Sequence, residues 1–236
     1  MPSPPLRSKK RQRCEGAAAD TREAVEYYAG HKQTVYKWPS GIHLSSEDKA
    51  PLLELGEDKL TAISRKGYKT VLATHGTKFE GCWYFEATIE SLGETGAVRI
   101  GWAPRDVDLQ TPVGTTETGY AYRSLDGSTV HQGVRKPYGK PFGVGDTVGC
   151  LIAQPPSRMD SSGVWNEEFN RPGFVEFYLN GCSQGIAFTD VKYREFFPAV
   201  SLFTDSHQVE PARVCLNFGQ KPFQTLSFSM NMMENL

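Results

Sequence analysis

The residue types that most often carry chemistry are scattered in this chain. His31, His43, His75, His131 and His207 stand apart from one another, and Cys14, Cys82, Cys150, Cys182 and Cys215 are odd in number and widely separated. None of them falls at zinc-ligand spacing. Gly143-Val144-Gly145-Asp146-Thr147-Val148-Gly149 misses the dinucleotide-binding spacing and reads as a turn entering a strand, and no phosphate loop or nucleophile elbow is present. His75 and His131 sit near strand ends, where an imidazole bonded to a turn is commoner than a catalytic one. The expectation is a chain with no catalytic centre, no metal and no cofactor.

Charge narrows the partners. With 26 Lys and Arg against 27 Asp and Glu the formal net charge is -1, which argues against a fold-wide grip on nucleic acid, so any polyanion contact must be local. The one dense basic run holds Lys9, Lys10, Arg11 and Arg13. It has three readings that composition does not separate: a solvated tail, a nuclear import signal, or a contact to DNA phosphates. No apolar run approaches the roughly 20 residues that a membrane helix needs, and no apolar secretory segment follows Met1. Cysteines embedded in apolar alternating stretches read as reduced thiols packed as small hydrophobes, which implies a reducing compartment.

The elements that must position any site are strands. In Cys82 to Glu90 the residues Trp83, Phe85, Ala87 and Ile89 share one face while Glu86, Thr88 and Glu90 face the other, the pattern of a half-buried strand. Alternation of the same kind places strands at Val98–Trp102, Thr147–Ala153, Phe174–Leu179, Ile186–Phe188, Ala199–Phe203 and Arg213–Phe218, each bounded by turn residues. Asn180-Gly181 between two such runs predicts a tight hairpin. Trp83 and Trp102 are expected in the core. Many short strands, 23 glycines and 15 prolines point to an all-β fold, a sandwich of two antiparallel sheets.

Around this unit the pattern changes. Residues 1–37 are expected to be a basic disordered tail, with a short helix starting at the Asp20-Thr21-Arg22-Glu23 capping box and ending before Gly30. Residues 38–226 form the sandwich, and 227–236 a C-terminal tail. Between Gln154 and Gly173 the alternation stops, so a long surface loop is expected there.

Six segments in order resemble the SPRY family: Gly81-Cys82-Trp83-Tyr84-Phe85-Glu86, Gly101-Trp102, Gly145-Asp146-Thr147-Val148-Gly149-Cys150, Phe177-Tyr178-Leu179-Asn180-Gly181, Phe197-Pro198-Ala199-Val200-Ser201-Leu202 and Asn217-Phe218-Gly219. Within that family, Asp58-Lys59-Leu60-Thr61, Lys66-Gly67-Tyr68, Ala73-Thr74-His75-Gly76, Val98-Arg99-Ile100-Gly101-Trp102 and Tyr122-Arg123-Ser124 are similar to the absent-small-or-homeotic-discs-two branch, called Trauco in plants. The resemblance implies a non-catalytic, nuclear scaffold subunit of a COMPASS-like complex that methylates histone H3 on its fourth lysine. It would stimulate the SET-domain methyltransferase, alongside WD-repeat subunits, by binding an acidic peptide of a retinoblastoma-binding-protein-five-like subunit.

The positions that carry that contact in the branch match Tyr68, Arg99, Pro112 and Arg123, while a further contact tyrosine falls on Thr115 here. A guanidinium can hold a carboxylate by two parallel hydrogen bonds, and Tyr68 and Pro112 would add rigid apolar surface beside the charges. The competing reading pairs Arg99 with a neighbouring carboxylate such as Glu86. Members of the branch often carry a PHD-like and winged-helix region, and usually an amphipathic helix that binds a Dumpy-thirty-like dimer. Neither has a matching segment in this chain. A second function within the same fold is a substrate-recognition adaptor for ubiquitin ligase or signalling complexes, although no RING, B-box or SOCS-box segment is visible.

Overall fold

A strand whose two faces must be covered differently needs neighbours on both sides, and the apolar run around Trp83 finds them at the centre of a seven-stranded sheet. The computed structural model describes residues 36–78, 81–154, 173–192 and 194–224. These form β1 (Leu44–Lys49), β2 (Glu54–Leu55), β3 (Thr61–Ser64), β4 (Lys69–Ala73), β5 (Gly81–Ser91), β6 (Ala97–Ala103), β7 (Tyr120–Arg123), β8 (Thr129–His131), β9 (Val134–Lys136), β10 (Thr147–Gln154), β11 (Gly173–Leu179), β12 (Cys182–Val191), β13 (Phe197–Phe203) and β14 (Ala212–Asn217). One sheet runs β12-β11-β10-β5-β14-β3-β2 and the other β1-β4-β13-β6-β7-β8-β9. Every strand pairing within them is antiparallel.

The main core lies between the sheets. Trp83, Phe85, Ala87 and Ile89 of β5 meet Val98, Ile100 and Trp102 of β6 and Val200 and Leu202 of β13. Trp102 is fully buried, its ring edge-on to Phe85 at 5.0 Å and stacked on Trp38 at 6.2 Å. Trp38 also packs 4.8 Å from Trp83 and donates its indole N–H to the Tyr84 carbonyl at 2.7 Å. Trp38 thus joins the core with its polar handle satisfied.

Two features depart from the expected pattern. Glu86 does face away from Trp83, yet it is only 3% exposed. The outer face of β5, β10 and β11 carries its own apolar cluster of Cys82, Tyr84, Leu151, Ala153, Phe174 and Tyr178, so β5 is covered on both sides over this stretch. The Glu86 carboxylate survives there because it accepts the Tyr84 hydroxyl at 3.0 Å and the Gln224 amide at 2.8 Å. The second departure is the number of strands: β1 to β4 and β7 to β9 had no clear alternation to announce them. The expected hairpin is present, with Asn180 at φ 51° and Gly181 at φ 78° and Leu179 opposite Cys182, as a two-residue turn with both central φ positive requires.

The basic run, the capping-box helix, the 155–172 loop and the C-terminal tail lie outside the described residues. Among the described residues no helix is long and apolar enough to cross a membrane, and no cluster of His, Cys, Asp and Glu could hold a metal ion.

Candidate peptide-docking site

Antiparallel register, more than sequence spacing, builds this site. Arg99 of β6 lies directly opposite Arg123 of β7, and on its other side opposite Ser201 of β13. The same row continues to Thr70 of β4. Because Val98, Ile100 and Trp102 point into the core, this row points outward, away from the sandwich interior. Two like charges at directly opposed positions oppose strand pairing, so the sheet carries this pair against its own stability.

The loop between β6 and β7 folds over the outward face and encloses Arg99. Leu109, Val107 and Val113 cover Leu72, Ala103, Ala121, Val130 and Ala199 as a second small apolar cluster. The Thr70 hydroxyl donates to the Thr111 carbonyl at 2.8 Å, and the Val113 N–H donates to the Ser201 hydroxyl at 2.8 Å. Those two bonds fix Pro112 and Thr115 beside the arginine. Arg99 Nη1 donates to the Val113 carbonyl at 3.2 Å and reaches the Thr115 hydroxyl at 3.5 Å, while Thr115 donates to the Pro112 carbonyl at 2.6 Å. The guanidinium carbon lies 5.6 Å from the centre of the Tyr68 ring, and that ring packs 4.8 Å from Phe203.

The four expected residues therefore do come together, with Thr115 among them. Burial draws the Arg99 guanidinium below the usual arginine range; Tyr68 opposes this, and the positive charges of Arg123 and Arg135 add to it. Arg99 is 7% exposed, an unusual degree of burial for an arginine with no carboxylate at hydrogen-bond distance among the described residues. Glu86 belongs to the other sheet and is not its partner. The internal acid instead bonds Arg123, whose Nη1 meets Asp126 Oδ2 at 2.5 Å. Asp126 is engaged twice, since its other oxygen accepts the Ser128 amide at 3.1 Å and hydroxyl at 2.7 Å. Burial works against the Asp126 carboxylate, but Ser128 and Arg123 together hold it below its ordinary value. Nε of both Arg99 and Arg123 is buried without a hydrogen-bond partner.

Sequence reasoning missed Arg135 and Asp126. Arg135 sits on β9 opposite Val130, which is opposite Ala121 on β7, so it shares the outward face. Only the register of three consecutive strands reveals this, and β8 and β9 are too short to show alternation. The histidines read as turn partners do bond the chain: His131 Nδ1 lies 2.8 Å from the Gly119 carbonyl, and His75 Nδ1 lies 3.0 Å from the Thr74 hydroxyl.

A two-sheet antiparallel sandwich with a loop-covered outer face defines a class that the family comparison names. The SPRY domain model matches residues 82–154. Its fold is shared with the SPRY domain of human HERC1, at TM-score 0.58 and 18% identity over 76% of this chain and 99% of that one. A second human SPRY domain aligns at TM-score 0.54 and 19% identity over 78% of this chain and all of the other, 100%.

The sequence is similar to the Set1/Ash2 histone methyltransferase complex subunit ASH2 of Drosophila melanogaster, 33% identical over 208 residues, covering 77% of this chain and 36% of that protein. The Caenorhabditis elegans subunit ash-2 is 28% identical over 76% of this chain and 36% of its own length. Human Ran-binding protein 9 is 32% identical over 76% of this chain and 23% of its own. This chain thus spans about a third of the length of the two Ash2 relatives.

Proposed function

We propose that this chain is a non-catalytic scaffold subunit of a histone H3 lysine-4 methyltransferase complex, and that its Arg99–Arg123 face docks an acidic peptide of a partner subunit. The observation that carries the reading is Arg99 itself: a buried guanidinium held beside a second one, with a carbonyl and a hydroxyl as acceptors and no carboxylate among the described residues. Such a group is incomplete without an outside anion, since buried charges ordinarily come paired. Tyr68 gives it an apolar wall, and Pro112 and Thr115 form the rim. The similarity to Ash2 subunits supports placing that anion on a retinoblastoma-binding-protein-five-like subunit, with the SET-domain methyltransferase and WD-repeat subunits as further neighbours in the nucleus.

The branch tyrosine is absent at Thr115, which removes one aromatic wall. The peptide is then held more by charge than by stacking, and its binding weakens more steeply with salt. In the same reading Lys9, Lys10, Arg11 and Arg13 serve nuclear import or a local DNA contact.

Titration calorimetry with an acidic partner peptide tests the site. Arg99→Ala and Arg123→Ala should each weaken binding by about 2 kcal/mol, the scale of a truncated interface arginine. Circular dichroism should show both variants folded. If both bind as the parent does, the arginine assignment is wrong. Co-purification separates the complexes: histone methyltransferase subunits support the reading, and cullin or RING partners overturn it in favour of a ubiquitin-ligase adaptor.

A further inference from the structure

We propose that Arg135 on the edge strand β9 is a third anion contact, so that the site takes a run of several acidic residues reaching from the β6–β7 pair past the covering loop to the β9 edge rather than a single carboxylate. This rests on the reading of the Arg99–Arg123 face as an acidic-peptide dock.

Three observations lead to it. First, the rows of the sheet align the cations. Arg99 pairs with Arg123, and one pleat along the same face the row Gly101, Ala121, Val130, which the β6–β7 loop covers, emerges at the exposed Arg135. Second, Arg135 is exposed, and among the described residues its side chain makes no hydrogen bond or ion pair. Its charge is therefore not consumed internally, unlike that of Arg123. Third, β9 is the margin of its sheet and all three of its residues are exposed, so a peptide leaving the arginine pair meets no further strand beyond it. The positive field of Arg135 already reaches Arg99 in the same direction as that of Arg123.

Strand geometry sets the length of the ligand. From β6 to β9 is three strand spacings, about 14 Å, which about four residues of extended chain would cover. A carboxylate pair one or two residues apart can satisfy Arg99 and Arg123, which are one spacing apart, but cannot also reach β9. The chemical class is therefore an extended segment with at least three acidic residues spread over four or five positions. Tyr68 receives an apolar residue at one end and Arg135 a carboxylate at the other.

Two synthetic peptides separate the possibilities by calorimetry. One carries two adjacent glutamates after a leucine; the other carries five consecutive glutamates after the same leucine. The long peptide should lose about tenfold in affinity on Arg135→Ala, the scale of one charge-assisted contact. Arg135→Lys should recover part of that loss, while the short peptide should bind parent and Arg135→Ala alike. If Arg135→Ala binds the long peptide as the parent does while Arg123→Ala does not, Arg135 is a bystander and the docking face survives. An equal loss on both peptides also overturns the third contact, leaving only a diffuse field. If the parent binds neither peptide, the docking reading fails and this inference falls with it.

Discussion

Asp126 decides how available Arg123 is. It offers one oxygen to Ser128 and the other to Arg123 Nη1, and its side chain is 46% exposed where that of Arg123 is 13% exposed. An incoming acidic residue must share or displace that bond. Asp126→Asn keeps an oxygen for the Ser128 turn and removes the competing charge, so acidic-peptide affinity should rise by about two- to fivefold, the worth of a partly exposed ion pair. Calorimetry checks the sign. A fall in affinity would mean that Asp126 holds Arg123 in its productive rotamer and does not compete with the ligand. The site's residues were legible only through resemblance: Arg99 and Arg123 stand 24 positions apart, and nothing in that interval announces that two strands will pair them in register.

The pairing of β6 with β7 is the element on which the site stands, and Gly101 is its narrowest point. A Cβ built on Gly101 would lie 1.9 Å from the Tyr120 carbonyl oxygen and 3.0 Å from Ala121 Cα, both backbone atoms that cannot yield by changing rotamer. Gly101→Ala should therefore part the two strands and cost about 3 kcal/mol, as overpacking against fixed atoms does. Peptide affinity should fall with it, because Arg99 lies two residues from Gly101 on the same strand. Thermal melting gives the stability change, and an unchanged melting temperature would show that β6 and β7 separate freely. Legibility follows the same physics at this scale. Strands β5, β6, β10, β11, β13 and β14 were readable because their inward residues are large and apolar. The strand β12 was only partly readable: three of its ten residues, Ile186 to Phe188, were expected, since its residues are mostly half-exposed. In β1 the sequence LSSEDK offers one apolar residue, and VRK of β9 is wholly exposed, so tertiary pairing and not patterning makes them strands.

Across the whole molecule, burial keeps a set of weak acids protonated. It pushes the Cys82 thiol up to about 12, with the Glu176 charge adding to the effect, and raises Cys150 well above its ordinary value, again with a nearby acid, Glu86. Burial likewise raises the phenols of Tyr122, Tyr138 and Tyr178, even though the Phe177 backbone partly offsets this at Tyr138. In the unfolded chain these thiols and phenols ionise near their usual values of about 8.5 and 10. Between those values and the raised ones the folded state holds more protons than the unfolded state, so stability is fully present below about pH 8.5 and is lost as pH rises. Each such group contributes up to about 1.4 kcal/mol per pH unit once the unfolded chain ionises, and several act together. The melting temperature should therefore stay nearly level from pH 7 to 8 and fall steeply from pH 9 to 11, with the steepest part above 10 where the tyrosines join. Replacing Cys82 by Ser should soften that fall across its whole span, because the folded thiol stays protonated up to about 12 while a serine hydroxyl does not ionise in this range. A flat profile to pH 11 would mean that these groups reach solvent in the folded state, and that both the main core and the outer apolar layer over β5, β10 and β11 are open.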